Sequence, residues 1–335
     1  MAERGVKTVV VIPARNEALR IAACLETLGR QAVPDVAVLL LANNCSDGTA
    51  AIARDRATSS GLKLAVVDVT LAPGAGVGTA RRMGCARAVE LWPDADALLS
   101  TDADCLTGAD WIARTRHHLA HVAAVCGRVD PMAEELFVLK NMDVTAAEME
   151  GHYETRVTAF YRRHRPGLCG LEGDHGHAAG ASLAVRRDAY HAVGGFADLI
   201  TGEDRDLVRR LKASGHGVLH AGDVLVTASC RLDGRAQDGM SSALRARADR
   251  RDYLIDDALP PAQHLIDAAR RGTLGPWPLS VAPKDRIRVR DLASHILLLE
   301  QALQARSPLH PERDGEPQSV TESPVVEAVQ LVNQT

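Results

Sequence analysis

Four short apolar runs in the first third of the chain place the strongest constraint on its fold. They occupy residues 9–12, 36–41, 64–67 and 97–100. Runs that are apolar at nearly every position, rather than at alternate positions, are typical of strands covered on both faces of a parallel sheet. Segments of helical period, such as 18–31, separate them. The pattern predicts an α/β fold with a doubly wound, Rossmann-like, mainly parallel central sheet.

A polar or glycine-rich stretch follows each of these four runs. The stretches are PARNE at 13–17, NNCSDGT at 43–49, PGAGVGTARR at 73–82 and TDAD at 101–104. In a doubly wound sheet, ligands bind beyond the carboxyl ends of the parallel strands. We therefore expect these four loops to meet at one edge of the sheet and to form the functional site there.

Composition excludes several classes of protein. The chain has 335 residues, 46% of them apolar, and a net charge of -4, so it lacks the basic field typical of nucleic-acid binding. Its seven cysteines are scattered and form no CxxC pair, which favours buried thiols in a reducing compartment over disulfides or zinc. The sequence has neither a long apolar leader nor a membrane-spanning segment. A cytoplasmic protein is expected, and peripheral membrane contact stays open.

The signal for secondary structure weakens after Gly127. Residues 139–163, 241–258 and 285–305 have helical character, and a segment rich in Pro, Glu and Ser begins at Ser307. We predict a main domain over 1–240, a helical extension over 241–306 and a partly disordered tail over 307–335. The extension can cover a substrate cleft or form a homodimer contact, and the sequence does not choose between these.

Asp102 and Asp104 lie one residue apart, directly after the fourth apolar run. Two carboxylates at a strand end repel each other unless a cation or several donors compensate them, and a hard divalent ion does so efficiently. The pair is thus a candidate site for Mn²⁺ or Mg²⁺, which would hold a substrate diphosphate. The alternative is that the acids cap the helix expected near Trp111.

The segment 73–82 has the composition of a phosphate-binding turn, with glycines followed by Arg81, Arg82 and a helix. It contains neither GxxxxGK[ST] nor GxGxxG. The alternative is a flexible surface loop with a solvated arginine pair.

Three other groups each have a functional and a plain interpretation. Glu17 can accept hydrogen bonds from a nucleoside or serve as a first-turn acid of the helix over 18–31. In GEDRDLVRRL, at 202–211, one acid can be a general base, although acids at a helix start also complement its dipole. His175 and His177 can act on a substrate or be loop residues without chemistry.

Taken together and in this order, the motifs resemble those of the family 2 glycosyltransferases, whose fold is the GT-A nucleotide-diphospho-sugar transferase fold. The resemblance spans about residues 7–230. It rests on VVVIPARNE, CSDGT, GVGTARRMGCARA, STDADC, GASLAVRRDAYHAVGGF and GEDRDLVRRL.

The resemblance implies roles at matching positions. It implies that Asp204 deprotonates the acceptor hydroxyl, with Glu203 beside it, and that Asp102 and Asp104 hold the metal. The implied nucleotide-sugar site comprises Pro13, Ala14, Arg15, Glu17, Asn43, Asp47, Gly78, Arg81, Asp102 and Ala103. The implied acceptor side comprises His177, Gly180 and Ser182.

The implied reaction is metal-dependent, non-processive transfer of a hexose from a nucleotide-diphosphate sugar to a hydroxyl, with inversion. A UDP-sugar is the expected donor, but Ala42 and Asn43 stand where most relatives have two acids, so the nucleobase stays open. No QxxRW-like segment follows Arg231, which disfavours a processive polymerase.

Other interpretations stay open or are excluded by the first loop. A retaining transferase of the same fold and an inactive sugar-nucleotide-binding protein stay open. A nucleotidyltransferase is disfavoured because no Gly-rich basic loop follows the first apolar run. A dinucleotide oxidoreductase is excluded because PARNE, and not GxGxxG, follows that run.

Overall fold

A computed structural model describes residues 5–234, 239–249 and 252–305. The predicted tail over 307–335 lies outside these residues. The described chain contains one eight-stranded sheet with helices on both faces, which confirms the expected α/β class.

The strands of the sheet lie in the order β3-β2-β1-β4-β7-β6-β8-β5. Strands β5 and β7 run antiparallel to their neighbours, and the other pairings are parallel. The strand bounds are β1 Thr8–Ala14, β2 Val36–Asn43, β3 Leu64–Val69, β4 Ala97–Ser100, β5 Cys105–Thr107, β6 Ala124–Pro131, β7 Leu183–Arg186 and β8 Val218–Ala228.

The helices connect the strands and then form a C-terminal group. Their bounds are α1 Ile21–Gly29, α2 Thr49–Ser60, α3 Val77–Leu91, α4 Trp111–Leu119, α5 Val144–His164, α6 Arg187–Ala192, α7 Glu203–Ala213, α8 Met240–Ala248, α9 Ala262–Arg270 and α10 Leu292–Gln304. The helices predicted over 18–31, 241–258 and 285–305 are thus shorter than expected. The one predicted over 139–163 begins at Val144, where the Asp143 carboxylate accepts the amide hydrogen of Ala146.

Burial on both faces explains the apolar runs of β1, β2 and β4, whereas β3 lies at the edge of the sheet and is only partly buried. Along β1, Val9 and Val11 pack into one core cluster, whereas Val10 and Ile12 pack into the cluster on the other face. All seven residues of β1 are buried. Because alternate side chains of a strand point to opposite faces, a strand covered twice needs an apolar residue at each position.

The strand order reverses between β1 and β4, because the chain builds β2 and β3 on one side of β1 and then crosses to the other. Crevices at such reversals, at the carboxyl ends of the strands, are where doubly wound sheets bind ligands. The loops 13–17 and 101–104 leave β1 and β4 at this point. The expected convergence of loops at one edge is therefore confirmed.

The C-terminal helices pack on α5 and form a third core cluster with it. This cluster includes Tyr153, Phe160, Trp277 and Leu292. The indole Nε1 of Trp277 donates a hydrogen bond of 2.6 Å to the carbonyl of Gly176, in the loop over 167–182. The extension thus lies beside that loop. No helix within the described ranges combines the length and apolar composition needed to cross a bilayer.

Close packing of α3 on β1 generates a prediction for two glycines. A Cβ at Gly84 would lie 2.5 Å from Cγ1 of Val11, whereas a Cβ at Gly151, in the exposed part of α5, meets nothing within 4 Å. Gly84→Ala should lower the free energy of unfolding by about 1–3 kcal/mol, because the helix must move off the sheet. Gly151→Ala should raise it by about 0.5–1 kcal/mol through helix propensity alone.

Urea unfolding of the two variants measures the difference. If both substitutions stabilise the protein, α3 is not held tightly against β1 at Gly84.

Candidate active site

Side chains tie the loops after β1, β2 and β3 together. The Asn16 Oδ1 accepts from the Ser46 amide at 2.8 Å, and the Asn44 side chain exchanges two hydrogen bonds with the backbone of Leu71. Asn16 and Asn44 have φ angles of 56° and 50°, a left-handed conformation that asparagine tolerates better than most residues. The edge of the sheet is thus built from loops of fixed conformation.

The predicted nucleoside residues lie in these fixed loops. The exposed Asp47 accepts hydrogen bonds from the Thr49 hydroxyl and from the amides of Ala18 and Thr49, and these outweigh slight desolvation and lower its pKa. The Asn43 Nδ2 donates to the carbonyl of Ala14 at 3.0 Å. Pro13 and Ala14 are buried as the last residues of β1, and Arg15 is exposed.

Asp102 and Asp104 lie in the turn between β4 and β5. One ligand atom from each of Asp102, Asp104 and Cys105 falls within 4.8 Å of the others. Two carboxylates suit a hard divalent ion, and burial and the nearby acids raise the pKa of the Cys105 thiol well above its usual range, so this sulfur is a poor ligand for such an ion. The hypothesis that these acids cap the helix at Trp111 is wrong, because β5 separates them from α4 and Asp110 precedes that helix.

Arg81 is the centre of a buried charge cluster. Its Nη1 pairs with Glu203, its Nη2 pairs with Asp102, and its Nε donates to the Ser100 hydroxyl at 3.1 Å. Its side chain is 4% exposed, so the idea of a solvated arginine pair holds only for the exposed Arg82. Burial opposes the charge, but Asp102, Glu203 and Asp204 hold the pKa of Arg81 above its ordinary value.

A second arginine holds the other member of the acid pair. Arg231 lies just after β8, and its Nη2 is 2.8 Å from the Asp104 Oδ2. Its Nη1 also donates to the Glu17 Oε2 at 2.8 Å. Burial and the charge of Asp102 raise the pKa of Asp104 to about 6, although Arg231 acts in the opposite direction. Arg81 and Arg231 therefore each pair with one of the two neighbouring acids.

Glu17 does not serve as an acid of the first turn of α1. Its backbone carbonyl accepts the amide hydrogens of Arg20 and Ile21, while its buried carboxylate pairs with Arg231. Helix α1 begins at Ile21 and has no acid in its first turn. The helix-start interpretation of Glu17 is therefore wrong.

The acids at the start of α7 have different surroundings. Asp204 is partly exposed, and its carboxylate accepts the amide hydrogens of Gly180 and Arg205, both at 2.7 Å. Glu203 is 1% exposed and faces Arg81 in the interior. Asp204 can thus face a substrate, whereas Glu203 contacts the buried cluster.

The predicted acceptor residues also divide into exposed and buried groups. His177 is exposed, with its Nδ1 3.4 Å from Glu154. Gly180 packs against Arg81, since a Cβ there would lie 2.2 Å from the guanidinium carbon. The Ser182 hydroxyl is buried and accepts from the Trp111 indole at 3.0 Å. Gly78 and Ala103 are buried.

A buried polar link fixes the loop over 167–182 to α7 and β8. Lys212 donates to the carbonyl of Gly170 at 2.7 Å and lies 3.0 Å from the His220 Nε2. The His220 Nδ1 lies 2.9 Å from the carbonyl of His177. Burial lowers the pKa of Lys212 to about 8. Buried groups of α7 and β8 therefore hold this loop in place.

A cavity of about 430 Å³ opens next to this loop, at the same edge of the sheet. It is lined by Arg128, Val129, Asp130, Asp174, His175, His177 and Gly222. A larger cavity of about 640 Å³ lies near Thr8 and Ala97, where β1 and β4 begin, and is therefore remote from the paired acids.

Sequence reasoning missed four residues of this region: Ser100, Lys212, His220 and Arg231. Arg231 had one usable signal, its place just after an apolar stretch near the end of the family resemblance. The pairing of Lys212 with His220 had none, because an isolated lysine in an amphipathic helix is usually exposed.

The Arg81 cluster generates a stability prediction. Arg81→Met leaves the buried Glu203 without its cation and should lower the free energy of unfolding by about 3–5 kcal/mol. Adding Glu203→Gln to this variant should restore part of the loss, because the uncompensated buried charge is then gone. Arg82→Met, at the exposed neighbouring position, should change stability by less than about 0.5 kcal/mol.

Urea titrations of the three variants check these values. Equal losses of unfolding free energy in Arg81→Met and Arg82→Met would show that the ion pairs of Arg81 do not stabilise the fold.

Comparison with known proteins adds a family to this geometry. The family model described as "Glycosyltransferase like family 2" matches residues 6–252. Among curated proteins, none matches the sequence. A solved structure, the mannosyltransferase PcManGT from Pyrobaculum calidifontis in complex with GDP-Man and Mn²⁺, is 20% identical, with a TM-score of 0.53; the match covers 89% of this chain and 72% of that one.

Two further solved structures are similar at lower TM-scores. S. aureus TarS 1–349 in complex with UDP-GlcNAc is 17% identical over 70% of this chain and 61% of that one, with a TM-score of 0.49. Glucosyl-3-phosphoglycerate synthase from Mycobacterium tuberculosis is 18% identical over 73% of this chain and 79% of that one, with a TM-score of 0.43.

The mannosyltransferase likeness agrees with the GT-A fold expected from the motifs. The family model, which spans most of the chain, settles the family. The chain belongs to the glycosyltransferase family 2 and is a transferase of the GT-A fold.

Proposed function

We propose that this protein transfers a sugar from a nucleotide-diphosphate sugar to a hydroxyl acceptor, with inversion and with a divalent ion at Asp102 and Asp104. The observation that carries the proposal is the Arg81 cluster. One guanidinium pairs with Asp102 of the β4–β5 turn and with Glu203, the neighbour of Asp204. The acid pair Asp102 and Asp104, assigned to the sugar donor, and the candidate base Asp204 therefore lie on different elements but close to one charge cluster.

Inversion by direct attack requires that arrangement. The base must take the acceptor proton on the face of the sugar opposite the departing diphosphate. Asp204 suits the base, because it is partly exposed and its carboxylate is oriented by two backbone amides. Glu203 acts in this scheme as a positioning residue through Arg81.

The donor nucleoside is assigned to the loops after β1 and β2. The Asn43 amide nitrogen already donates to Ala14, so its Oδ1 is the atom we assign to a base N–H such as uracil N3–H. Uracil N3–H and guanine N1–H can both donate to this oxygen, so the contact fits a UDP-sugar and a GDP-sugar alike. PcManGT was solved with GDP-Man, so both nucleotides are tested.

Mn²⁺ or Mg²⁺ fits the carboxylate pair because both prefer oxygen ligands. When bound, such an ion neutralises the charge that develops on the leaving diphosphate. The protein's own contribution is to fix Asp102 through Arg81 and to hold the base on a helix that begins in the same cluster.

Two alternatives make different demands on the same residues. A retaining transferase does not need Asp204 as a base, and an inactive binding protein needs no turnover. The presence of Asp102, Asp104 and Asp204, with Asp204 oriented by backbone amides, favours the inverting enzyme.

Carboxylate variants test the assignment. Asp102→Asn and Asp104→Asn should abolish the Mn²⁺-dependent rise in melting temperature that a UDP-sugar or GDP-sugar causes, since a ligand stabilises only the state that binds it. Asp204→Asn should keep that rise but lower turnover by about 10²–10⁴-fold, the typical contribution of a general base.

Thermal shift with and without Mn²⁺, and nucleotide release in the presence of acceptor, measure the two effects. Asp110→Asn is the matched control, because Asp110 pairs with Arg114 on α4, outside the site. Unchanged turnover in Asp204→Asn would contradict the assignment of Asp204 as the base. Donor binding that is the same with and without Mn²⁺ would contradict the metal role.

A further inference from the structure

Arg231 holds Asp104 and Glu17 together at the edge of the sheet. Its Nη2 lies 2.8 Å from the Asp104 Oδ2, and its two terminal nitrogens pair with both oxygens of Glu17. The Arg231 side chain is 18% exposed and that of Asp104 is 22% exposed. This ion pair is thus largely withdrawn from water. Charges in such a position interact more strongly than charges at the surface.

A divalent ion at the acid pair would need the same carboxylate. A carboxylate oxygen that accepts from a guanidinium is not available in the same geometry to an ion, and two cations beside one carboxylate repel each other. Arg231 occupies the Oδ2 of Asp104, so an ion must either take that oxygen from Arg231 or bind Oδ1 beside a second cation, and in both cases Arg231 weakens binding of the ion.

Arg81 is less able than Arg231 to yield its carboxylate to a divalent ion. It is held by Ser100, Glu203 and Asp102, is nearly inaccessible, and packs against Gly180. Arg231 lies on the segment that follows β8, and within the described residues its buried Nε has no hydrogen-bond partner. Among the described residues, the Arg231 head group is held by its pairs with Asp104 and Glu17, so it can move off Asp104 and keep its pair with the buried Glu17.

We infer that Arg231 is a resident counter-ion of Asp104 that competes with a divalent metal for this carboxylate, so that this residue sets the metal affinity of the site. The inference rests on the metal role in the proposed function. The displaced guanidinium needs a new anion, and the diphosphate of the donor supplies one. Metal and nucleotide then bind more tightly together than either does alone.

Mn²⁺ binding to the whole chain, measured by isothermal titration calorimetry without nucleotide, tests this. Arg231→Gln should bind Mn²⁺ about tenfold more tightly than the wild type, within the range typical of coupled sites. Arg231→Lys keeps the positive charge but has a single amine to pair with two acids. Its affinity for Mn²⁺ should therefore lie between those of the wild type and Arg231→Gln. Arg87→Gln is the matched control, because Arg87 forms an exposed ion pair with Glu90 on α3 and contacts neither the paired acids nor Arg231.

The titrations are run at about pH 8, since Asp104 must be ionised in each variant. A second titration adds UDP at saturation. UDP should strengthen Mn²⁺ binding to the wild type more than to Arg231→Gln, because only the wild type has a guanidinium that can move from Asp104 to pair with the diphosphate.

The outcomes separate this inference from the proposed function. A wild type that binds no Mn²⁺, even with UDP or GDP, overturns the metal role itself. A wild type that binds Mn²⁺, with equal or weaker binding in both Arg231 variants, overturns only the displacement of Arg231. If Arg231→Gln does not fold, as judged by circular dichroism, tighter binding by Arg231→Lys still supports the inference, and its absence still overturns it.

Discussion

The buried guanidinium of Arg81 is the interaction on which the site depends. A fully buried charge is stable only when opposite charges and hydrogen bonds compensate it, and Arg81 obtains these from Asp102, Glu203 and Ser100. These partners lie on β4, on the turn after it, and at the start of α7. Arg81 also limits Gly180 to glycine, because any side chain there would overlap the guanidinium. One cation thus fixes the relative position of the turn that carries the paired acids and the helix that carries Asp204.

The parts of the fold that sequence predicts are those in which each strand has its own local signal. β1 and β2 are covered on both faces and are therefore apolar at every position except Thr8 and Asn43, which makes them visible in isolation. β5 and β7 are three and four residues long, too short to show a period. β6 and β8 pair with a shift in register at Gly127 and Arg128, and their outer halves are partly exposed, so their patterns are interrupted. These later strands became evident only in the structure.

The site divides in the same way between local and distant signals. The spacing of Asp102 and Asp104, and their place after an apolar run, is local information, and the structure confirms that they lie together at the carboxyl edge. The pairing of Arg81 with Glu203 spans 122 residues, and that of Arg231 with Glu17 spans 214. With 39 basic and 43 acidic residues in the chain, many pairings are consistent with the sequence. These pairs are selected only when α3 and α7 pack on the sheet that contains β8.

The arginine partners change the meaning of the paired acids. Repulsion between two carboxylates is an argument for a metal only when nothing else compensates them, yet Asp102 and Asp104 each have an arginine. At an effective dielectric constant of about 20, unit charges 4 Å apart interact by about 4 kcal/mol, which is enough to offset much of the cost of burying such an acid. The two arginines thus compensate part of the charge of the paired acids, although burial and the charge of Asp102 still raise the pKa of Asp104. In the proposed enzyme, an ion is needed when the donor adds its diphosphate, because that charge exceeds what the two arginines can compensate.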